Sequence, residues 1–263
     1  MLVNYLNLEN EKIEEKQIDV KLEGLQDLLL LNKPFCLNLE NNTDFNIFNL
    51  EEITEQNLNK QLSEFNNNRP NIIYLNDVVN FEDDYDVIVP FCKKNNVKLI
   101  VKAGYSLNEM GECDKVFGKT PIDLLEEFGV LDLEPIILSG ARLEKEDLEK
   151  LSYYNATICL DVSNDLLAGN GVAPITTMQQ KCLNIMLNVR NDVFEEIRLI
   201  YLLSAGIYNC NQSYANVLKM AFLNGYKAFG LQANESVLVS GVKPDYLKNL
   251  VLNCNKNMVV NTK

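Results

Sequence analysis

Short apolar runs alternate with amphipathic stretches through the middle of this 263-residue chain. PFCLNLE (34–40), NIIYLND (71–77), VKLIVKAG (97–104), EPIILSG (134–140), ATICLDVS (156–163) and NIMLNV (184–189) have the length and β-branched content of buried strands. Between them, apolar residues recur every three or four positions in EEITEQNLNKQLSEF, TPIDLLEEFGVL, EKEDLEKLSYY, NDVFEEIRLIYLLSAG and SYANVLKMAFLNGYKAFG, which predicts helices. Strand followed by helix, repeated, predicts a mainly parallel sheet. DFNIFNL (44–50) adds a candidate seventh strand, one fewer than closes a (β/α)8 barrel. The expected fold class is therefore α/β, a TIM-like (β/α) barrel that is incomplete or distorted.

The two ends follow a different period. Residues 1–23 alternate apolar and polar positions, and VLVSGVKPDYLKNLVLN near the other end offers two short strands around a turn. The termini, 1–33 and 235–263, are expected to form a small composite β layer, with 34–234 making the barrel.

Composition narrows the function classes. Hydrophobic residues make up 47% of the chain, enough for a sizeable core. A formal net charge of −13 argues against nucleic acid and against an anionic membrane surface, since both need clustered Lys and Arg. No stretch reaches the roughly 20 apolar residues of a spanning helix, and the first residues lack a basic start followed by an apolar run, so a cytoplasmic location is expected. The seven cysteines are scattered and never spaced C-x-x-C, which indicates neither a disulfide framework nor a thiolate zinc site. The chain contains no histidine at all, so Ser-His and Cys-His nucleophile pairs are excluded. G-x-S-x-G, phosphate-loop and dinucleotide fingerprints are also missing.

Six stretches carry a resemblance. FGKTPIDLLEEFGVLD (117–132) is similar to a G-x-x-P-hydrophobic helix start, and ILSGARLEKEDLEKLS (137–152) to a strand end followed by L-x-x-x-E/D. ICLDVSNDLLAGNGVAPIT (158–176) is similar to H-C-P-x-S-N-x-x-L-x-x-G-x-A-P through Ser163, Asn164, Leu167, Gly169 or Gly171, Ala173 and Pro174. DVFEEIRLIYLLSAG (192–206), AFLNGYKAFGL (221–231) and ESVLVSGVKPDYL follow in order. Together they resemble the amidohydrolase superfamily, in its branch of cytosine, guanine, adenosine-derivative and triazine deaminases and chlorohydrolases. The resemblance implies a barrel holding a zinc or iron ion, which activates water through an H-x-H pair, two further histidines and an Asp, with a Glu moving the proton.

At the positions matching those ligands, the residues differ. PFCLNLENN places Glu40 and Asn42 at the histidine pair, and VKAGY places Val101 at the third ligand and Gly104 at the proton-moving Glu. Ser139 stands at the sixth-strand histidine and Arg190 at the Asp. Glu40 and Arg190 are expected to form a buried ion pair in place of the metal charge. Lys102 and Tyr105 are pocket candidates by position, and Ser163 and Asn164 are expected to cap the turn after their strand, with Asn164 a candidate ligand contact. The resulting expectation is a shortened, catalytically degenerate member of the family with no catalytic residues, no bound metal and no cofactor. It would act by binding a small molecule, or in a homo- or hetero-oligomer with an amidohydrolase paralogue. The alternative is a hydrolase or deaminase acting on C–N bonds through an altered, carboxylate-based site, for which Glu40, Asp161 and Asp192 are candidate oxygens.

Overall fold

The computed structural model describes residues 2–17, 29–35, 37, 44–189, 192–210, 212–232 and 235–260. They fall into two compact units, one made of Met1–Leu37 and Met186–Lys263 and the other of Asn38–Ile185. The chain opens with strands β1 (Leu2–Asn7), β2 (Lys12–Gln17) and β3 (Leu29–Asn32) of the first unit.

The second unit is a run of βα repeats. Its strands are β4 (Asn46–Ile47), β5 (Asn71–Leu75), β6 (Lys98–Ala103), β7 (Ile136–Ser139), β8 (Thr157–Leu160) and β9 (Asn184–Leu187), the last lying where the two units divide. Helices α1 (Glu55–Glu64), α2 (Tyr85–Asn95), α3 (Leu107–Phe117), α4 (Pro121–Glu127), α5 (Lys145–Tyr153), α6 (Val162–Leu167) and α7 (Ile175–Gln180) connect them. The strands lie in sequence order, β4-β5-β6-β7-β8-β9, and the pairs from β4 to β8 are parallel. The α/β character and parallel sheet follow the strand–helix alternation. Among the described residues the sheet is open, since β4 and β9 are not neighbours. Both β7 and β8 are buried along their whole length, as parallel strands covered on two faces must be.

Local chemistry accounts for the helix starts. Thr54 accepts the Asn57 N–H ahead of α1, and Thr120 and Asp123 form a reciprocal box around Pro121 at the start of α4.

The chain then adds α8 (Val193–Tyr208), α9 (Tyr214–Phe222), α10 (Asn224–Ala228), β10 (Ser236–Val239), α11 (Tyr246–Asn253) and β11 (Val259–Val260) to the first unit. Its five-stranded sheet has the order β11-β10-β3-β1-β2 and so draws on both chain ends. Among the described residues no helix is long and apolar enough to cross a membrane.

Several elements depart from the pattern reading. The second terminal strand expected in KPDYLKNLVLN is helix α11, because Leu247, Leu250 and Val251 sit three and four apart and the last two are buried. Helix α2 was hidden by Pro90 in its interior. The ATICLDVS strand stops at Leu160, and Val162 already begins α6. In PFCLNLE, Pro34, Phe35 and Leu37 are not in a strand, and the other four positions lie outside the described residues.

Gly225 shows how tightly the first unit is packed. Phe35 stacks on Phe229 and meets Tyr226 edge-on, each with ring centroids 5.2 Å apart, and a Cβ at Gly225 would overlap the Phe35 ring. Gly225→Ala is expected to cost about 1–3 kcal/mol through overpacking, read as a lower urea midpoint at unchanged m value.

Candidate functional site

The carboxyl ends of β6, β7 and β8 collect the polar groups that the strands themselves exclude. Val101, at the third-ligand position, is a fully buried strand residue paired with Leu75 and Ile137, and it has no lone pair to offer. Gly104 follows the end of β6 with φ +61°, and a Cβ there would lie 2.5 Å from Leu143 Cδ2. A glutamate at this position would strain the backbone and displace Leu143.

Glu109 brings a carboxylate back to the same place. From the first turn of α3 it accepts the N–H of Gly104 at 3.2 Å and that of Tyr105 at 2.8 Å, while its own N–H donates to Ser106 Oγ at 3.1 Å. Ser106-x-x-Glu109 is a capping pattern, and that signal was available in the sequence. Glu109 is 4% exposed. Burial pushes its carboxyl up to about 7, against the backbone donors and the Lys102 charge that favour the ionised form. Lys102 lies over the Tyr105 ring, 3.9 Å from the centroid, so the two position candidates form a cation–π pair.

Ser139 closes β7 opposite Ala103 and holds φ +80°, a left-handed conformation for a side chain that rarely takes one. Its buried hydroxyl donates to Asp165 Oδ2 at 2.7 Å, and Asn170 Nδ2 donates to Asp165 Oδ1 at 3.0 Å. Burial raises the Asp165 carboxyl above its ordinary value, partly opposed by these two donors. Asp161 is buried at the start of α6, one turn before Asp165, and its backbone carbonyl accepts the Asp165 N–H at 2.9 Å. Ser163 and Asn164 therefore lie inside α6 and do not cap it; Asn164 is half-buried in its first turn. Neither Asp161 nor Asp165 was singled out with Ser139 by sequence spacing, because a crossover separates them.

Glu40, Asn42 and Arg190, and with them the expected Glu40–Arg190 ion pair, lie outside the described residues. Asp192 has another role: it accepts the Phe194 N–H at 2.9 Å to cap α8, and the Lys256 N–H at 3.0 Å. Among the described residues no group of three His, Cys, Asp or Glu side chains is placed to hold a metal ion.

No family model matches the chain. It is similar to the 5-methylthioadenosine/S-adenosylhomocysteine deaminase of Pyrococcus abyssi, with 33% identity over 49% of this chain and 32% of that protein. It also matches the 5'-deoxyadenosine deaminase of Methanothermobacter thermautotrophicus, with 26% identity over 53% of this chain and 35% of the relative. The matched span is thus about a third of the length of these curated relatives. Among solved structures, an adenosine deaminase from Xanthomonas campestris with bound zinc superimposes with a TM-score of 0.67 at 14% identity, over 76% of this chain and 52% of the other.

These relatives overturn the expectation of a catalytically degenerate chain, since the proteins it matches in sequence are named for deamination. That expectation rested on the changed residues at the ligand and proton-moving positions, and Glu109 places a carboxylate beside one of them, Gly104. The zinc of the structural neighbour has no fitting donor set among the described ligand positions: Val101 cannot ligate, and the Ser139 hydroxyl is committed to Asp165.

The raised Glu109 value fixes a sign for stability. The folded protein holds the proton more tightly than an unfolded chain titrating near 4.5, so the contribution is full below about pH 4.5 and lost as pH rises to about 7. Glu109→Gln is expected to flatten the fall in unfolding free energy across that window, by an amount on the order of 3 kcal/mol, measured by urea unfolding at several pH values. Ser139→Ala, which leaves buried Asp165 short of a donor, is expected to cost about 1–3 kcal/mol in the same assay at neutral pH.

Proposed function

We propose that this chain of the amidohydrolase superfamily is a hydrolase of C–N bonds, a deaminase of nucleoside-like substrates, working through a carboxylate-based site at the ends of β6, β7 and β8. The observation that carries the reading is the sequence match to deaminases of 5-methylthioadenosine, S-adenosylhomocysteine and 5'-deoxyadenosine. The Glu109 carboxyl supports it, standing beside the glycine that replaces the family's proton-moving glutamate and titrating near neutrality, where a general acid–base group works best.

In this reading, water adds to the ring carbon bearing the exocyclic amine. Ionised Glu109 takes a proton from the water, and the protonated carboxyl returns it to the departing nitrogen, so that ammonia leaves and a carbonyl remains. Asp165, fixed by Ser139 and Asn170, orients the water through its remaining lone pairs. Lys102 contributes positive charge near both carboxyls, which favours their ionised forms. A reducing cytoplasm suits the six described cysteines, all of them free.

Ammonia release from 5-methylthioadenosine, S-adenosylhomocysteine and 5'-deoxyadenosine tests the proposal. The wild-type rate is expected to rise with pH to a plateau above about 7 as Glu109 ionises, and Glu109→Gln to lose at least about a hundredfold in kcat with its far-ultraviolet spectrum unchanged. Absence of release from all three, with and without added divalent metal, would refute it.

A further inference from the structure

A second feature of the second unit stands apart from the proton-moving groups. The first turn of α3 and the β7–α5 and α6–α7 connections line an open pocket of about 360 Å³. Its apolar wall consists of Leu107, Met110, Leu143, Val172 and Pro174, and the side chain of Leu107 stays 68% exposed at the rim. Arg142 supplies the cationic group.

Arg142 is half-buried, and its Nε is shut off from solvent without any hydrogen-bond partner. No carboxylate among the described residues forms an ion pair with it, although the chain has 37 acidic residues against 24 basic ones. A half-buried guanidinium without a counter-ion favours the approach of an anion. The group is also held in place. Its backbone N–H donates to Gly104 O at 2.7 Å, and its guanidinium atoms lie 3.1–3.3 Å from where a Cβ on Gly171 would stand, room that exists only because that residue is glycine. The acidic residue Glu144 also lines the pocket. A doubly charged phosphate would meet it at a disadvantage, whereas a single negative charge on a short apolar body matches both the arginine and the wall.

We infer that this pocket binds a small amphipathic carboxylate, its anionic head on the Arg142 guanidinium and its hydrocarbon part along Leu107, Met110 and Val172. The site does not depend on the deaminase reading: binding is measurable on a protein that turns over nothing. Hexanoate is the probe, titrated by calorimetry and by ligand-observed NMR, with hexan-1-ol as its uncharged counterpart and inorganic phosphate as the dianion. Hexanoate is expected to bind in the millimolar range, and Arg142→Gln to weaken it by about tenfold or more while leaving the faint binding of hexan-1-ol unchanged. Leu107→Glu, which puts a negative charge at the exposed rim, is expected to weaken hexanoate similarly and covers the case in which the arginine variant does not fold. The inference is overturned by absence of hexanoate binding at about 50 mM, by equal binding to the wild type and folded Arg142→Gln, or by phosphate binding more tightly than hexanoate.

Discussion

Strands buried on both faces hold a polar side chain only where the protein supplies it a partner, so most polar groups collect at the strand ends, and this constraint organises the second unit. Along β7 and β8 every residue is withdrawn from water, so a hydrogen-bonding group within either strand needs a protein partner, as Thr157 finds in Asn184 of β9. The chain meets the constraint by turning sharply where β6 and β7 stop. Gly104 and Gly140 both adopt positive φ, and Leu143 fills the space that a side chain at either position would claim. Those turns aim backbone N–H groups and a few side chains at one another, and the site is what they aim at.

Glu109 and Asp165 are two solutions to the same problem of holding a carboxylate out of water. Glu109 is met by backbone donors at the start of α3, whereas Asp165 is met by the side chains of Ser139 and Asn170. In each case desolvation outweighs the donors, and the proton is held more tightly than in water. Gly104 links the first carboxylate to the neighbouring connection, because its N–H is bound by Glu109 while its carbonyl accepts the Arg142 N–H. Moving α3 would therefore move the turn that fixes Arg142. One glycine ties the two features together by hydrogen bonds alone.

How much of this was legible in the sequence depends on whether the controlling contact was local. The strands at 71–75, 98–103, 136–139, 157–160 and 184–187 lie within the apolar runs that mark them, since burial of consecutive residues leaves a direct trace. The α11 helix was misread because a short apolar run fits either period, and α2 because an interior proline reads as a break. Glu109 was legible and passed over: Ser106-x-x-Glu109 announces a cap, but only the fold shows that the carboxylate reaches back to Gly104. The Ser139–Asp165 bond spans 26 residues and two elements, and nothing in their spacing announces it. The same holds for Arg142 and Gly171, whose pairing depends on the shape of a loop.

Ser139 carries the argument that these strand ends were kept for use. A serine at φ +80° costs about 1–3 kcal/mol relative to a relaxed backbone, and glycine at that position would relieve the cost without disturbing the strand. Glycine alone takes this conformation without strain. The chain instead holds a hydroxyl in a strained conformation, aims it at a buried aspartate, and supports that aspartate from the other side with Asn170. A serine held in this conformation and bonded to a buried aspartate agrees with a chain whose sequence relatives are deaminases.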